Sequence, residues 1–241
     1  MTPDTSDSTS ASAFAAVARR LQAASGPHDT RELVTRIAVD TVHGCDHAAI
    51  SLILRHGGIR TVAATDDIPG HVDVIQYEEH EGPCLNAISA HEIVRVDDLA
   101  RETRWPNFSR RAIVETRIRS MLALRLFLKD DTLGALNLYS RKAAAFDDHS
   151  SAIGSVLAAH ASIAMTTANE EEAAENLHHA LRSSRQIGVA IGVLMNARQL
   201  TQDQAFAQLQ HVSQRLNIKV RDLAEEVIRT GELPTPGSLD P

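Results

Sequence analysis

Residues 48–65 read Ala-Ala-Ile-Ser-Leu-Ile-Leu-Arg-His-Gly-Gly-Ile-Arg-Thr-Val-Ala-Ala-Thr. Ala48 to Arg55 is a short apolar run of strand length. His56-Gly57-Gly58 supplies a turn, and Ile59 to Thr65 returns as a second strand. This hairpin sets the fold class, and the flanking segments extend it. Upstream, Phe14 to Ala24 predicts a short helix closed by Ser25-Gly26-Pro27. Asp29 with Glu32 three residues on resembles a capping box. Leu33, Val34, Ile37, Ala38 and Thr41 follow at helical spacing up to Gly44. Downstream, residues 70–91 predict one or two short helices broken by Gly82-Pro83, and Ile93 to Val96 a short strand. Arg101 to Arg117 reads as a polar, partly helical crossover. Ser120 to Lys129 and Leu133 to Arg141 read as paired strands about an Asp130-Asp131 turn. The order predicts an α+β unit: an antiparallel sheet with helices on one face.

Composition narrows the class. The chain has 241 residues, 43% of them hydrophobic and 23% charged, as in ordinary globular proteins rather than disordered or fibrous ones. The longest apolar runs are about eight residues, against roughly 20 for a membrane span, so no span is expected. Met1 to Ser12 lacks the basic and apolar regions of a secretion signal, which points to the cytoplasm. Two cysteines, Cys45 and Cys84, make no disulfide framework, and no CxxC or His/Cys cluster suggests zinc. The histidines are scattered, and no phosphate loop, HExxH or GxSxG motif occurs. No enzyme is expected. Residues 1–176 carry a net charge of −8 and residues 177–232 a net of +2. Any polyanion partner therefore belongs at the C-terminal end.

From Asp147 to Ala197 there is no proline, and apolar residues recur at Ile153, Val156, Leu157, Ala161, Ile163 and Ala164. They resume at Leu177, Leu181, Ile187, Ile191 and Leu194 after the acidic stretch 169–176. A continuous helix over 147–197 is expected, paired with a second copy as a parallel coiled coil. The alternative is two helices broken near residues 166–172. Thr201-Gln-Asp-Gln204 is a capping box, with Leu200 placed to staple against Ala205. Ala205, Phe206, Leu209, Val212 and Leu216 form the apolar stripe of the next helix. Asn217 is placed to cap a last helix with Val220, Leu223, Ala224, Val227 and Ile228 inward, ended by Gly231. Polar groups gather near the junction of these two helices: Gln208, Ser213, Arg215, Asn217, Lys219 and Arg221.

Two resemblances emerge. The strings Glu81-Gly-Pro-Cys-Leu-Asn-Ala87, Val94-Arg-Val-Asp-Asp-Leu99, Arg104-Trp-Pro-Asn-Phe108 and Leu133-Gly-Ala-Leu-Asn-Leu-Tyr139 are similar to those of bacterial GAF domains. The resemblance implies a sensor domain over 13–168. Its ligand stays open, since GAF domains bind cyclic nucleotides, haem, tetrapyrroles, iron or nothing known. A small-molecule pocket would lie between the sheet and residues 66–116, lined by Glu81, Cys84, Asn86, Trp105 and Asn137. Cys84, near a helix start, would be reactive if its pKa were lowered. One enzyme of this fold, free methionine-(R)-sulfoxide reductase, works through cysteines, so that chemistry stays an alternative.

Leu181 to Met195, Leu200-Thr-x-x-x-Ala-Phe206, Leu209-x-x-x-Ser213 and Asn217-Ile-Lys-Val-Arg-Asp-Leu-Ala224 resemble the ANTAR pattern over 172–233. The family often has Lys where this chain has Ile191. The resemblance implies a three-helix bundle of a bacterial, typically actinobacterial, transcription antiterminator. Such proteins hold paired short-loop hairpins in nascent mRNA. Arg215, Lys219 and Arg221 are the candidates for phosphates, and Gln204, Gln208, Ser213 and Asn217 for base edges. Ala205 is small enough to let a base approach. A DNA-binding helix-turn-helix over 201–229 is the other alternative. Residues 1–12 and 234–241 are expected to be disordered or flexible tails.

Overall fold

The computed structural model describes residues 17–21, 23–54, 57–90, 93–128 and 131–234. The expected N-terminal tail and residues 235–241 lie outside these. The chain divides into two compact units, Met1–Glu172 and Ala173–Pro241.

In the first unit the order is α1 (Gly26–Thr41), β1 (His47–Ile53), β2 (Ile59–Ala64), α2 (Asp67–Glu79), α3 (Pro83–Ala90) and β3 (Ile93–Val96). A single 3₁₀ turn precedes α4 (Pro106–Thr116), β4 (Ser120–Leu128) and β5 (Asp131–Ser140). The strands form one antiparallel sheet in the order β2-β1-β5-β4-β3. The expected early helix is helical over 17–21, while residues 14–16 and 22 lie outside the description. The next helix starts at Gly26, not beside Asp29. Pro27 occupies its first turn, where a fixed φ fits and a missing N–H costs nothing.

Helices cover both faces of the sheet, not one. Side chains alternate across a strand, and here both alternating sets are apolar. Ala48, Ile50, Leu122, Leu124, Leu136 and Leu138 pack against Val34 and Ile37 of α1. Ala49, Met121, Ala123 and Tyr139 pack against Val72 and Ile75 of α2 and Phe108 and Ala112 of α4. Neither face can be left to water.

Helix α5 runs unbroken from Asp148 to Arg198, 51 residues. The alternative of two helices broken near 166–172 does not hold. At 1.5 Å per residue its length is ~75 Å. By length and composition alone α5 is apolar enough to cross a membrane, which the count of unbroken apolar runs did not anticipate. Its residues Leu157, Ala158, Ala161 and Met165 are built into the core of the sheet.

In the second unit the end of α5 packs with α6 (Gln202–Leu216) and α7 (Val220–Thr230). Ala190, Leu194, Ala205, Leu209, Leu223 and Val227 make the core. The capping box at Thr201 has both arms: Thr201 Oγ1 accepts from the Gln204 N–H, and Gln204 Oε1 accepts from the Thr201 N–H. Asn217 does not cap α7. It stands in the left-handed region at the end of α6, with its N–H directed to the Gln214 and Ser213 carbonyls, and Lys219 opens α7 without a side-chain cap. Phe206 and Ile228, expected inward, are exposed.

Candidate functional site

Positions 204, 208, 211 and 215 lie four, three and four residues apart, so they share one face of α6. They are Gln204, Gln208, His211 and Arg215, and the adjoining face buries Ala205, Leu209 and Val212. Three of these four were expected as RNA contacts. His211 was missed, although the same helical spacing selects it. Arg198, at the end of α5, was also missed, and its Nη1 donates to Gln208 Oε1 at 3.0 Å. Arg198, Gln208, His211 and Arg215 line a groove of about 470 Å³ floored by Val212, Leu233 and Pro234. No acidic side chain lines it among the described residues. Two guanidiniums over an apolar floor can hold a phosphate beside a flat base.

The other expected contacts fall elsewhere. Ala205 is fully buried in the bundle core, so no base can approach it. Ser213 is also buried, and its Oγ donates to the Ile218 carbonyl at 2.6 Å, tying α6 to the turn before α7. Asn217 is exposed, but its backbone serves the helix end. Lys219 and Arg221 are exposed at the start of α7, with Arg221 Nε donating to Asp222 Oδ1 at 3.0 Å. Neither lines the groove.

In the first unit, the residues between sheet and helical excursion split into two groups. Glu81 and Trp105 serve the start of α4: Glu81 Oε1 accepts from the N–H groups of Asn107 and Phe108, at 2.7 and 2.8 Å. Trp105 is the N-cap residue, buried, with the Arg104 guanidinium 4.3 Å from its ring centre. Asn86 sits in α3, half-buried, with its backbone N–H donating to the Gly82 carbonyl.

Cys84 and Asn137 belong to a buried polar cluster whose centre is Asp73 on α2, a residue not singled out in the sequence. Asp73 accepts from Tyr139 Oη (2.5 Å), Thr61 Oγ1 (2.8 Å), Ser51 Oγ (2.9 Å), Gln76 Nε2 (3.0 Å) and Asn137 Nδ2 (3.3 Å). Tyr77 Oη donates to Ser51 Oγ, and Gln76 Oε1 accepts from the Cys84 N–H. Thus β1, β2, β5 and α2 converge on one carboxyl. Burial pushes the Asp73 pKa up, against the lowering by its hydrogen bonds from Tyr139, Thr61, Ser51 and Asn137. The signal available in sequence was Asn137 and Tyr139, two apart and so on one strand face; in the sheet they share that face with Ala135, the partner of Ser51.

The same burial decides the cysteines. The Cys84 thiol is pushed up to about 12, by desolvation first and by Asp73 second. Cys45, also buried, is pushed up to about 12 by desolvation. The helix start therefore does not make Cys84 a thiolate, and the attacking group of sulfoxide-reductase chemistry is held as a thiol.

Comparison with known proteins agrees with this division. The GAF domain model matches residues 24–166, and the ANTAR domain model matches residues 175–228. The GAF domain of a phosphoenolpyruvate-protein phosphotransferase from Coxiella burnetii is similar, with a TM-score of 0.54 at 15% identity. That match covers 67% of this chain and 95% of the other. The corresponding domain from Acinetobacter gives 0.53 at 15% identity over the same shares. A methyl-accepting chemotaxis protein fragment gives 0.52 at 18%, covering 65% of this chain and 99% of the other. At these identities the likeness is one of fold. No curated protein matches the chain. GAF domains are signal-sensing and ANTAR domains RNA-binding and antiterminating, and both are regulatory rather than catalytic. This chain belongs to the GAF family and carries, after its GAF domain, an ANTAR domain.

Proposed function

We propose that this protein is a signal-responsive antiterminator that acts in the cytoplasm on nascent mRNA. Its ANTAR domain grips the loops of paired short-loop hairpins and so keeps an overlapping terminator hairpin from forming. The observation that carries this reading is the groove at Arg198, Gln208, His211 and Arg215, cationic and free of carboxylates among the described residues. Arg198 and Arg215 take the phosphates, while Gln208 and His211 face the base. Lys219 and Arg221 add phosphate contacts from α7. Gln204 keeps a secondary role, since its side-chain carbonyl already serves the capping box.

The GAF domain receives the signal, and the long helix joins two copies into a homodimer. Linking two weakly cationic bundles raises the effective concentration of the second at its hairpin. The ligand class stays open. The interior beneath the helical excursion is occupied by the Asp73 cluster and by Trp105, Phe108 and Met121, so a ligand there would have to displace the chain's own polar groups.

The test is a titration of the full chain against tandem short-loop hairpin RNAs with randomised loops and against duplex DNA of equal length. Selective retention of a subset of the hairpins is expected. Equal or stronger retention of duplex DNA would favour the helix-turn-helix reading, and retention of neither would remove both.

A further inference from the structure

The groove on the second unit is lined mainly by hydrogen-bond donors. Its polar side chains are Arg198, Gln208, His211 and Arg215. A guanidinium donates through five N–H groups and accepts nothing. Arg198 Nη1 stands 3.0 Å from the Gln208 side-chain amide, so the amide atom that meets it is the oxygen. That contact decides which way round the amide stands. A glutamine left alone can turn its amide over and offer either atom. Here the oxygen is held from the last residue of α5, and the nitrogen, with two N–H groups, is left for a ligand. Gln208 is half-buried on α6, and both helices belong to one packed core. No carboxylate among the groove's described residues competes for the guanidinium.

The bases divide by what they would bring to such a surface. Guanine and uracil carry a carbonyl oxygen where adenine and cytosine carry an amino group. Adenine is the base that a free glutamine pairs with twice, once through its oxygen and once through its nitrogen. With the oxygen engaged by Arg198, that double pairing is given up. An amino group in the groove then faces two guanidiniums and an amide nitrogen, all donors, and only the His211 ring can accept. A carbonyl oxygen finds partners in the same groups.

We propose that Arg198 orients Gln208 as a donor and thereby sets a preference for a carbonyl-bearing loop base, guanine or uracil, over adenine and cytosine. The inference rests on the RNA reading above and deepens it. Gln208 touches the base. Arg198 is a positioning residue for it, and its remaining N–H groups are left for phosphate.

The test is selection of tandem hairpins with randomised short loops by the full chain, then titration of the retained sequences and their single-base variants. Wild type should enrich guanine or uracil at one loop position. Adenine or cytosine placed there should bind roughly fivefold to a hundredfold more weakly. Arg198→Ala should weaken all hairpins and, beyond that uniform loss, level the preference at this position by admitting adenine. Arg198→Lys keeps a donor for the amide oxygen and should keep the preference. Gln208→Glu sets an acceptor in place of the amide nitrogen and should turn the preference toward adenine or cytosine. Each variant is melted beside wild type, and the profile should not change. Hairpins bound with no position biased toward guanine or uracil overturn this inference and leave the RNA reading standing. So does a bias that survives Arg198→Ala or Gln208→Glu. Retention of no hairpin removes the RNA reading and this inference with it.

Discussion

At the residue scale, Asp73 organises the GAF interior. A carboxyl with five donors around it is stable only while the set is complete. Asp73→Ala strands those donors in the core and should cost on the order of 3 kcal/mol, read as a lowered urea midpoint with an unchanged slope. Its pKa is raised in the folded chain, so the folded state holds that proton more tightly than the unfolded state. Asp73 thus withdraws stability as pH climbs from the ordinary carboxylate range through its raised value. The stability of wild type minus that of Asp73→Asn should therefore fall with rising pH, and a flat or rising difference would contradict the assignment. Cys84, held near pKa 12, should resist alkylation at pH 8 in the folded protein and react once urea unfolds it. Cys84 and Asn137 were legible as site candidates, whereas Asp73 was not. A lone carboxylate on a helix reads as a solvated side chain, and only tertiary packing sets it against Ser51, Thr61 and Tyr139.

At the element scale, the strands were legible because turn residues bound them and their apolar content is high. The two-faced burial was not read, although Ala48-Ala49-Ile50 and Met121-Leu122-Ala123-Leu124 leave no polar alternate to face water. Gly134 shows why β5 pairs so closely with β1. A Cβ there would stand 1.9 Å from the Ser51 carbonyl oxygen. Gly134→Ala should force the strands apart and lower the midpoint of the first unit, with few soluble molecules as the extreme outcome. In α6 the capping box was readable from four letters, because it is local. Thr201→Ala should cost about 1 kcal/mol, seen in thermal melts of the full chain followed at the second unit. The role of Asn217 was misread because the turn is short: a residue in the left-handed region ends α6 and cannot also begin α7. Ala205 failed as a base contact for a related reason, since the four-residue spacing to Leu209 places it inward.

At the scale of the whole molecule, the chain joins a sensing domain to a nucleic-acid-binding domain through one helix. The two family patterns were legible because each rests on contiguous strings. The groove was only half legible, because Arg198 comes from a different helix than Gln208 and Arg215, and only the folded bundle brings them together. Arg198→Ala and Arg215→Ala should each weaken hairpin binding and reduce the slope of log affinity against log salt by about one, while leaving the melting profile unchanged. Lys219→Ala should have a smaller effect, as it stands outside the groove. The most direct measurement is single-round transcription through a terminator whose stem overlaps a selected hairpin. Wild-type protein should raise read-through, and the protein with both Arg198→Ala and Arg215→Ala should not. Unchanged read-through with wild type, or an equal rise with the double variant, would contradict the account.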